Sequence, residues 1–368
     1  MVVGVGELDL TGWGMLAGLA AVSGLLWWRT GSRRSHYRAL HMAAAVVMTA
    51  LLVADGVNSY FSYLPHVADV ASVVTGEDSW TSLGRGDLQP VAYARTVRRD
   101  PHGGVLRVPV PDRGSGFGAS TALVYLPPQY FTDPLRRFPV VYLLHGSPGM
   151  PADWLRAGAA DRTGAHLAAT GRPALIVMPR MSRHWLDDSE CVDSVGLKAE
   201  SHLLHDVLPT IDGALRTLPT PAARVVAGMS AGGYCALNLG LRHLNLFGAI
   251  VDLSGLDRPT HTGGPVALFG RSSAGQAAQV ANSPGVYAAG LPARLPVRIW
   301  LDTGSSDHSV LTGLVRLHAP LLAKQIDVRL TVRPGGHTYR VWRPALRQAM
   351  DWLTASPSLP PRPCAKCR

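Results

Sequence analysis

Cysteine is scarce in this chain of 368 residues, with four in all, which excludes a small scaffold held together by disulfides. Charge is also scarce, at 16%. A chain that is 47% apolar and weakly charged buries too much surface to be disordered. No block of Lys and Arg interleaved with aromatics occurs anywhere, so a nucleic-acid arm is not expected. No group of His and Cys has the spacing of a metal site, and neither a metal nor a cofactor is expected. Cys364 and Cys367 form a CxxC in the Pro-rich tail at 356–368, but no second pair stands near it.

What the chain does have is an uneven charge. The formal total is +10, and residues 91–368 alone carry +12. Residues 61–90 are net acidic. The basic excess therefore belongs to the large C-terminal part and suits an anionic surface or substrate.

Two long apolar runs open the sequence. Leu10–Trp28 is 19 residues without a charge, roughly 28 Å as a helix and close to the hydrocarbon thickness of a bilayer. Trp27 and Trp28 stand at its end, where amphipathic rings favour the interface. A second, weaker run extends from Ala39 to Phe61. Arg29, Arg33, Arg34 and Arg38 lie between the two. A cleavable signal needs a positive leader, and here Glu7 and Asp9 stand instead. Residues 1–61 are thus expected to form a two-helix transmembrane hairpin with its basic loop in the cytoplasm. Residues 62–90 read as a membrane-proximal linker with a short helix near 66–74, and everything after 61 is expected outside the cytoplasm.

Residues 91–355 read as one α/β domain. Early strands at 105–110 and 120–126 flank a turn region. Apolar runs at 138–144 (FPVVYLL), 174–178 (ALIVM), 224–228, 248–253, 297–301 and 327–332 alternate with helical stretches at 164–169, 199–218, 231–244, 310–324 and 340–353. Continuous apolar strands alternating with helices imply a mostly parallel sheet covered on both faces. Residues 258–290, rich in Gly, Ala, Ser and Pro, interrupt this rhythm and are expected to form either a mobile cap over the acyl pocket or a disordered insertion.

The chemistry is concentrated in Gly228-Met229-Ser230-Ala231-Gly232, between a buried strand and a helix. A serine on such a tight strand-to-helix turn needs small residues two positions before and after it, and it presents its hydroxyl at the end of the sheet. Ser230 is the candidate nucleophile. A base and an orienting acid should follow in the order acid, then His. His337, after the last strand and Pro334-Gly335-Gly336, is the candidate base, with His308 second. Asp307, after Gly304-Ser305-Ser306, is the candidate acid, with Asp302 and Asp257 behind it. The N–H of Ala231 and one N–H from the His145-Gly146-Ser147-Pro148-Gly149 loop should form the oxyanion hole. Pro148 cannot donate, so Ser147 is favoured over Gly146. His145 should brace that loop. Cys235 should be a small buried hydrophobe, with Cys191 on a loop over the site. His184 and Trp185, on that loop, are candidate substrate contacts.

YLLHGSPG…DW, GMSAGG, LDTGSSD and PGGHTYRVWRPAL together resemble the esterase D-like branch of the α/β-hydrolases, which includes enterochelin esterases and mycolyltransferases. The resemblance covers roughly residues 105–355. It implies a triad of Ser230, Asp307 and His337 with Ser147 and Ala231 at the oxyanion hole. The membrane hairpin and Ala231, where mycolyltransferases carry a bulkier residue, depart from the secreted members. The chain is similar to membrane-tethered actinobacterial esterases. The expected activity is hydrolysis of a carboxylic ester, with a membrane-lipid ester as the favoured substrate. Acyl transfer and a non-catalytic binding domain on the same scaffold are the alternatives.

Overall fold

The computed structural model of the chain describes residues 10, 13–31, 37–75, 80–83 and 102–354. Arg33 and Arg34 of the basic loop and the CxxC of the tail lie outside the described residues.

The apolar runs at 138–144 and 224–228 form the adjacent centre of a nine-stranded sheet of order β1-β2-β3-β5-β4-β6-β7-β8-β9. The strands are β1 (Ser82–Leu83), β2 (Gly104–Val110), β3 (Ser120–Leu126), β4 (Val140–Leu144), β5 (Leu175–Met178), β6 (Arg224–Met229), β7 (Ala249–Leu253), β8 (Arg298–Gly304) and β9 (Asp327–Arg333). From β5 through β9 every pairing is parallel, while β3 is antiparallel to both β2 and β5. In β4, Val140, Tyr142 and Leu144 enter one core, and Val141 and Leu143 enter the other. Burial on both faces is why this strand reads as an unbroken apolar run.

Helices α1 (Trp13–Thr30), α2 (Arg38–Phe61) and α3 (Val67–Thr75) precede the sheet. Within the α/β unit the longer helices are α4 (Ala160–Ala169), α5 (Ala231–Arg242), α6 (His308–Ala323) and α7 (Tyr339–Thr354). Helix α6 turns Val310, Leu314, Leu317 and Leu321 into the first core at helical spacing. Helix α7 turns Val341, Trp342, Ala345, Leu346 and Ala349 into the second.

Several expectations need correction. Residues 199–218 are not one helix. Ala199–Ser201 and Leu208–Ala214 are α-helical around a π-helical turn, His202–Val207, and the stretch ends before Leu215. Pro209 has no N–H for an i→i−4 bond, which suits the irregular turn just before it. Residues 258–290 hold short helices at Gly264–Phe269, Ser273–Ala281 and Pro284–Tyr287. Cys235 is not a lone hydrophobe, because it is disulfide-bonded to Cys191. The two stand 44 residues apart and meet only because the loop after β5 folds back over α5.

At the N-terminal end, one helix among the described residues, Arg38–Phe61, is long and apolar enough to cross a membrane. Helix α1 has 18 residues and packs on α2, with Ser23 and Thr49 hydroxyls 2.9 Å apart and the Trp27 indole donating to Thr49 at 3.0 Å. The start of the expected linker is built onto the α/β unit. The Tyr63 hydroxyl donates to Asp153, and Arg343 donates to the Ser62 carbonyl at 3.2 Å.

Candidate active site

Ser230 leaves the end of β6 at φ 56°, ψ −125° and begins the turn into α5. That backbone is costly for a residue with a side chain, by about 1–3 kcal/mol, and persists only where its surroundings hold it. Here its N–H donates to Leu253 O at 2.9 Å, and its carbonyl accepts from Gly233 and Tyr234 at 2.9 and 3.1 Å. A Cβ on Gly228 would overlap the Gly232 carbonyl, and one on Gly232 would overlap that of Leu144. The small residues of the motif therefore exist to let β4, β6 and α5 approach one another.

The ends of β8 and β9 bring the partners. His337 Nε2 lies 2.8 Å from Ser230 Oγ, and its Nδ1 lies 2.6 Å from Asp307 Oδ2. With Asp307 taking the Nδ1 proton, Nε2 is left to accept from the serine hydroxyl. Asp307 sits just before α6 with a mostly buried carboxyl. The Ser306 N–H donates to Gly335 O at 2.8 Å, tying the acid loop to the His loop. The edge of Trp342 meets the His337 ring at 4.9 Å between centroids, and the Trp342 indole is anchored on Ser254 at 3.0 Å.

The other candidate acids are occupied elsewhere. Asp302 accepts from Arg333 Nε at 2.8 and 2.9 Å and from the Trp300 indole at 3.2 Å. Burial pushes its carboxyl up to about 6, against the pull of Arg333. Asp257 pairs with Arg316 at 2.7 Å. His308 is exposed at the start of α6 and takes no part in the chain Ser230–His337–Asp307.

Ala231 is the first residue of α5, where an N–H has no acceptor within the helix. A Cβ on Gly146 would stand 3.4 Å from the Ser230 Cβ, so the loop carrying Ser147 passes directly beside Ser230. His145 braces that loop. Its Nδ1–H donates to Gly146 O at 2.8 Å, and its Nε2 accepts from Met181 N–H at 3.1 Å. Burial lowers its pKa to about 4 and keeps it neutral.

A cavity of about 460 Å³ opens over Ser230 and His337. Trp185 lines it, whereas His184 does not. The Gly, Ala, Ser and Pro-rich segment contributes nothing to its wall. Tyr339 and Trp342, which stand in PGGHTYRVWRPAL, line it without having been assigned a role there, and Tyr63 and the end of α2 line it too and went unremarked in the sequence. The aromatic cluster NSYFSYL at the end of the second apolar run was the available signal. Glu190 was also missed. It is buried, accepts from Thr260 N–H at 2.6 Å, and burial beside Asp188 pushes its carboxyl up to about 8.

Residues 118–353 match the family model described as "Putative esterase". The chain belongs to this esterase family of α/β-hydrolases. It is an esterase, a hydrolase of carboxylic esters. An uncharacterized protein of Corynebacterium glutamicum is 28% identical over 357 residues, spanning 92% of this chain and 80% of that protein. An esterase of Mycobacterium tuberculosis is 28% identical over 190 residues, which are 51% of this chain and 40% of that longer protein. Among solved structures, a ferulic acid esterase superposes with a TM-score of 0.59 over 68% of this chain and 97% of its own, at 24% identity, a likeness of fold.

Proposed function

We propose that Ser230 is the nucleophile of a membrane-held ester hydrolase, with His337 as its base and Asp307 as the orienting acid. The observation carrying this reading is the hydrogen-bonded chain Ser230–His337–Asp307, at 2.8 and 2.6 Å. Ser230 Oγ attacks the ester carbonyl carbon while His337 Nε2 takes its proton. The carbonyl oxygen becomes an oxyanion that the N–H groups of Ser147 and Ala231 stabilise. The bond to the alkoxy oxygen breaks, and His337 returns the proton to the leaving alcohol. Water then attacks the acyl-enzyme by the same steps, freeing the acid and Ser230. An alcohol in place of water makes the step an acyl transfer. Product analysis with and without added alcohol separates the two.

The α1–α2 pair holds the enzyme at the membrane, with residues 91–355 as the catalytic domain on the extracytoplasmic side. The four arginines between the apolar runs support this orientation. The Cys191–Cys235 bridge also supports it, since disulfides persist in oxidising compartments. The net +12 beyond residue 90 favours an anionic lipid surface, and an ester of a membrane lipid is the proposed substrate. Leu135 is exposed on the α/β unit. In a Cys364→Ser/Cys367→Ser background, Leu135→Cys should react with a membrane-impermeant thiol reagent in intact cells. Reaction only after lysis reverses the orientation. Ester turnover by purified protein, lost in Ser230→Ala, tests the nucleophile. Undiminished turnover in that variant rejects it.

A further inference from the structure

Helix α2 ends inside the catalytic cavity. Ala54, Val57, Asn58 and Phe61 recur at the spacing of one helical stripe, and that stripe lines the same cavity of about 460 Å³ as Ser230 and His337. The opposite side of the helix faces α1, where Ala45 is fully buried and Thr49 bonds Ser23. One helix thus presents one face to its partner and another to the reacting groups.

The placement is held by contacts of several kinds. The Asn58 side chain clamps the chain reversal after α2, donating to Leu64 O at 2.9 Å and accepting from Leu64 N–H at 2.7 Å. Tyr63 donates to buried Asp153 and sets its ring edge against Tyr339 at 5.7 Å. Leu10 N–H donates to Pro65 O at 2.8 Å.

Tyr60 and Leu186 adjoin the lining residues Phe61 and Trp185 in sequence. Tyr60, Trp185 and Leu186 are exposed, and amphipathic rings of this kind favour the membrane interface. Further back along α2, Met42, Val46, Val47, Leu51 and Val53 are all exposed as well. This is the one helix among the described residues long and apolar enough to span a bilayer. Exposed apolar residues along α2 thus lead toward the cavity over Ser230.

We infer that the last two turns of α2 are part of the substrate site and seat the acyl chain of a long-chain lipid ester that enters from the bilayer. The inference rests on the ester-hydrolase reading above and adds the acyl partner to it. The chain exchanges lipid contacts for the stripe Ala54, Val57 and Phe61 without crossing water, while its ester carbonyl reaches Ser230. A short soluble ester fills none of this wall. Each methylene removed from water is worth about fourfold, whether the bilayer or this wall receives it, so it is the change of preference in α2 variants that reads the wall.

The test uses the full chain in phospholipid nanodiscs, with p-nitrophenyl acetate and p-nitrophenyl myristate as substrates and a fluorophosphonate probe to report the folded site. Wild type should prefer myristate in kcat/KM by at least about 100-fold, and Val57→Trp should cut that ratio by at least about 30-fold. Val46→Trp, about 16 Å back along the helix, should keep the wild-type ratio. If Val57→Trp fails to take the probe, Phe61→Ala replaces it, with an expected drop of at least about fivefold in the ratio. Probe labelling and acetate turnover with an unchanged ratio in the α2 variants overturn the acyl site alone. Absence of both labelling and turnover in wild type removes the hydrolase reading beneath it.

Discussion

The two walls of the cavity are built differently. The wall proposed to react comes from strand ends: Ser230 after β6, Asp307 after β8 and His337 after β9. Each position follows from a short local motif, and backbone contacts around Gly228 and Gly232 hold the geometry. The facing wall comes from Val57 and Phe61, far upstream in sequence, together with Trp185 from the loop after β5. It exists only through tertiary contacts such as Tyr63 on Asp153 and Arg343 on Ser62. On the proposed reading, chemistry and substrate choice fall on different walls, so each can be broken without the other.

The largest effect is expected on the reacting wall. His337→Ala should lower ester turnover by at least about 10³-fold with circular dichroism unchanged. A loss below tenfold would place the base elsewhere. Next come the two carboxylates. Asp307→Asn should cost at least about 10²-fold in kcat, since the imidazole loses its orienting charge. Asp302→Asn removes the partner of Arg333 and should act on stability, by about 1–3 kcal/mol, more than on turnover. Reversed kinetic losses would reassign the acid.

The facing side supplies smaller effects. The Cys191–Cys235 bridge ties the Trp185 loop to α5 across 44 residues. Cys191→Ser/Cys235→Ala should lower stability by up to about 4 kcal/mol in the chain-entropy limit, read by chemical denaturation. An unchanged midpoint would mean that the loop is held without it. Tyr63→Phe should lower stability by about 1–3 kcal/mol, because it strips a donor from buried Asp153.

The smallest effect concerns pH. Burial pushes the Asp252 carboxyl, behind the elbow, up to about 8 from 3.8. A carboxyl that holds its proton more tightly when folded stabilises fully below about 4, and that contribution is lost as pH rises toward 8. Glu190 acts in the same direction. Tm should therefore fall between pH 5 and about 8, and less steeply in Asp252→Asn. Parallel slopes in the two proteins would remove Asp252 from the explanation.

The sheet was legible because a strand buried on both faces writes itself as an apolar run, as Val140–Leu144 does. The elbow was legible because its backbone tolerates few residues. Loop length alone favours Asp307 as the proposed acid, since Asp302 is still within β8 while Asp307 lies beyond it. The disulfide was not legible, because Cys191 and Cys235 each look ordinary in their own segments. The place of α2 beside Ser230 was hidden for a related reason. Val57 and Phe61 read equally well as lipid-facing residues, and only the docking of Ser62 and Tyr63 turns their stripe toward Ser230.

The central claim is that Ser230 forms the covalent intermediate, and peptide mass spectrometry of fluorophosphonate-treated protein tests it most directly. One adduct is expected, on the peptide containing Ser230, with none in His337→Ala on the same timescale. An adduct on a different serine, formed while ester turnover is lost in parallel, would contradict the account.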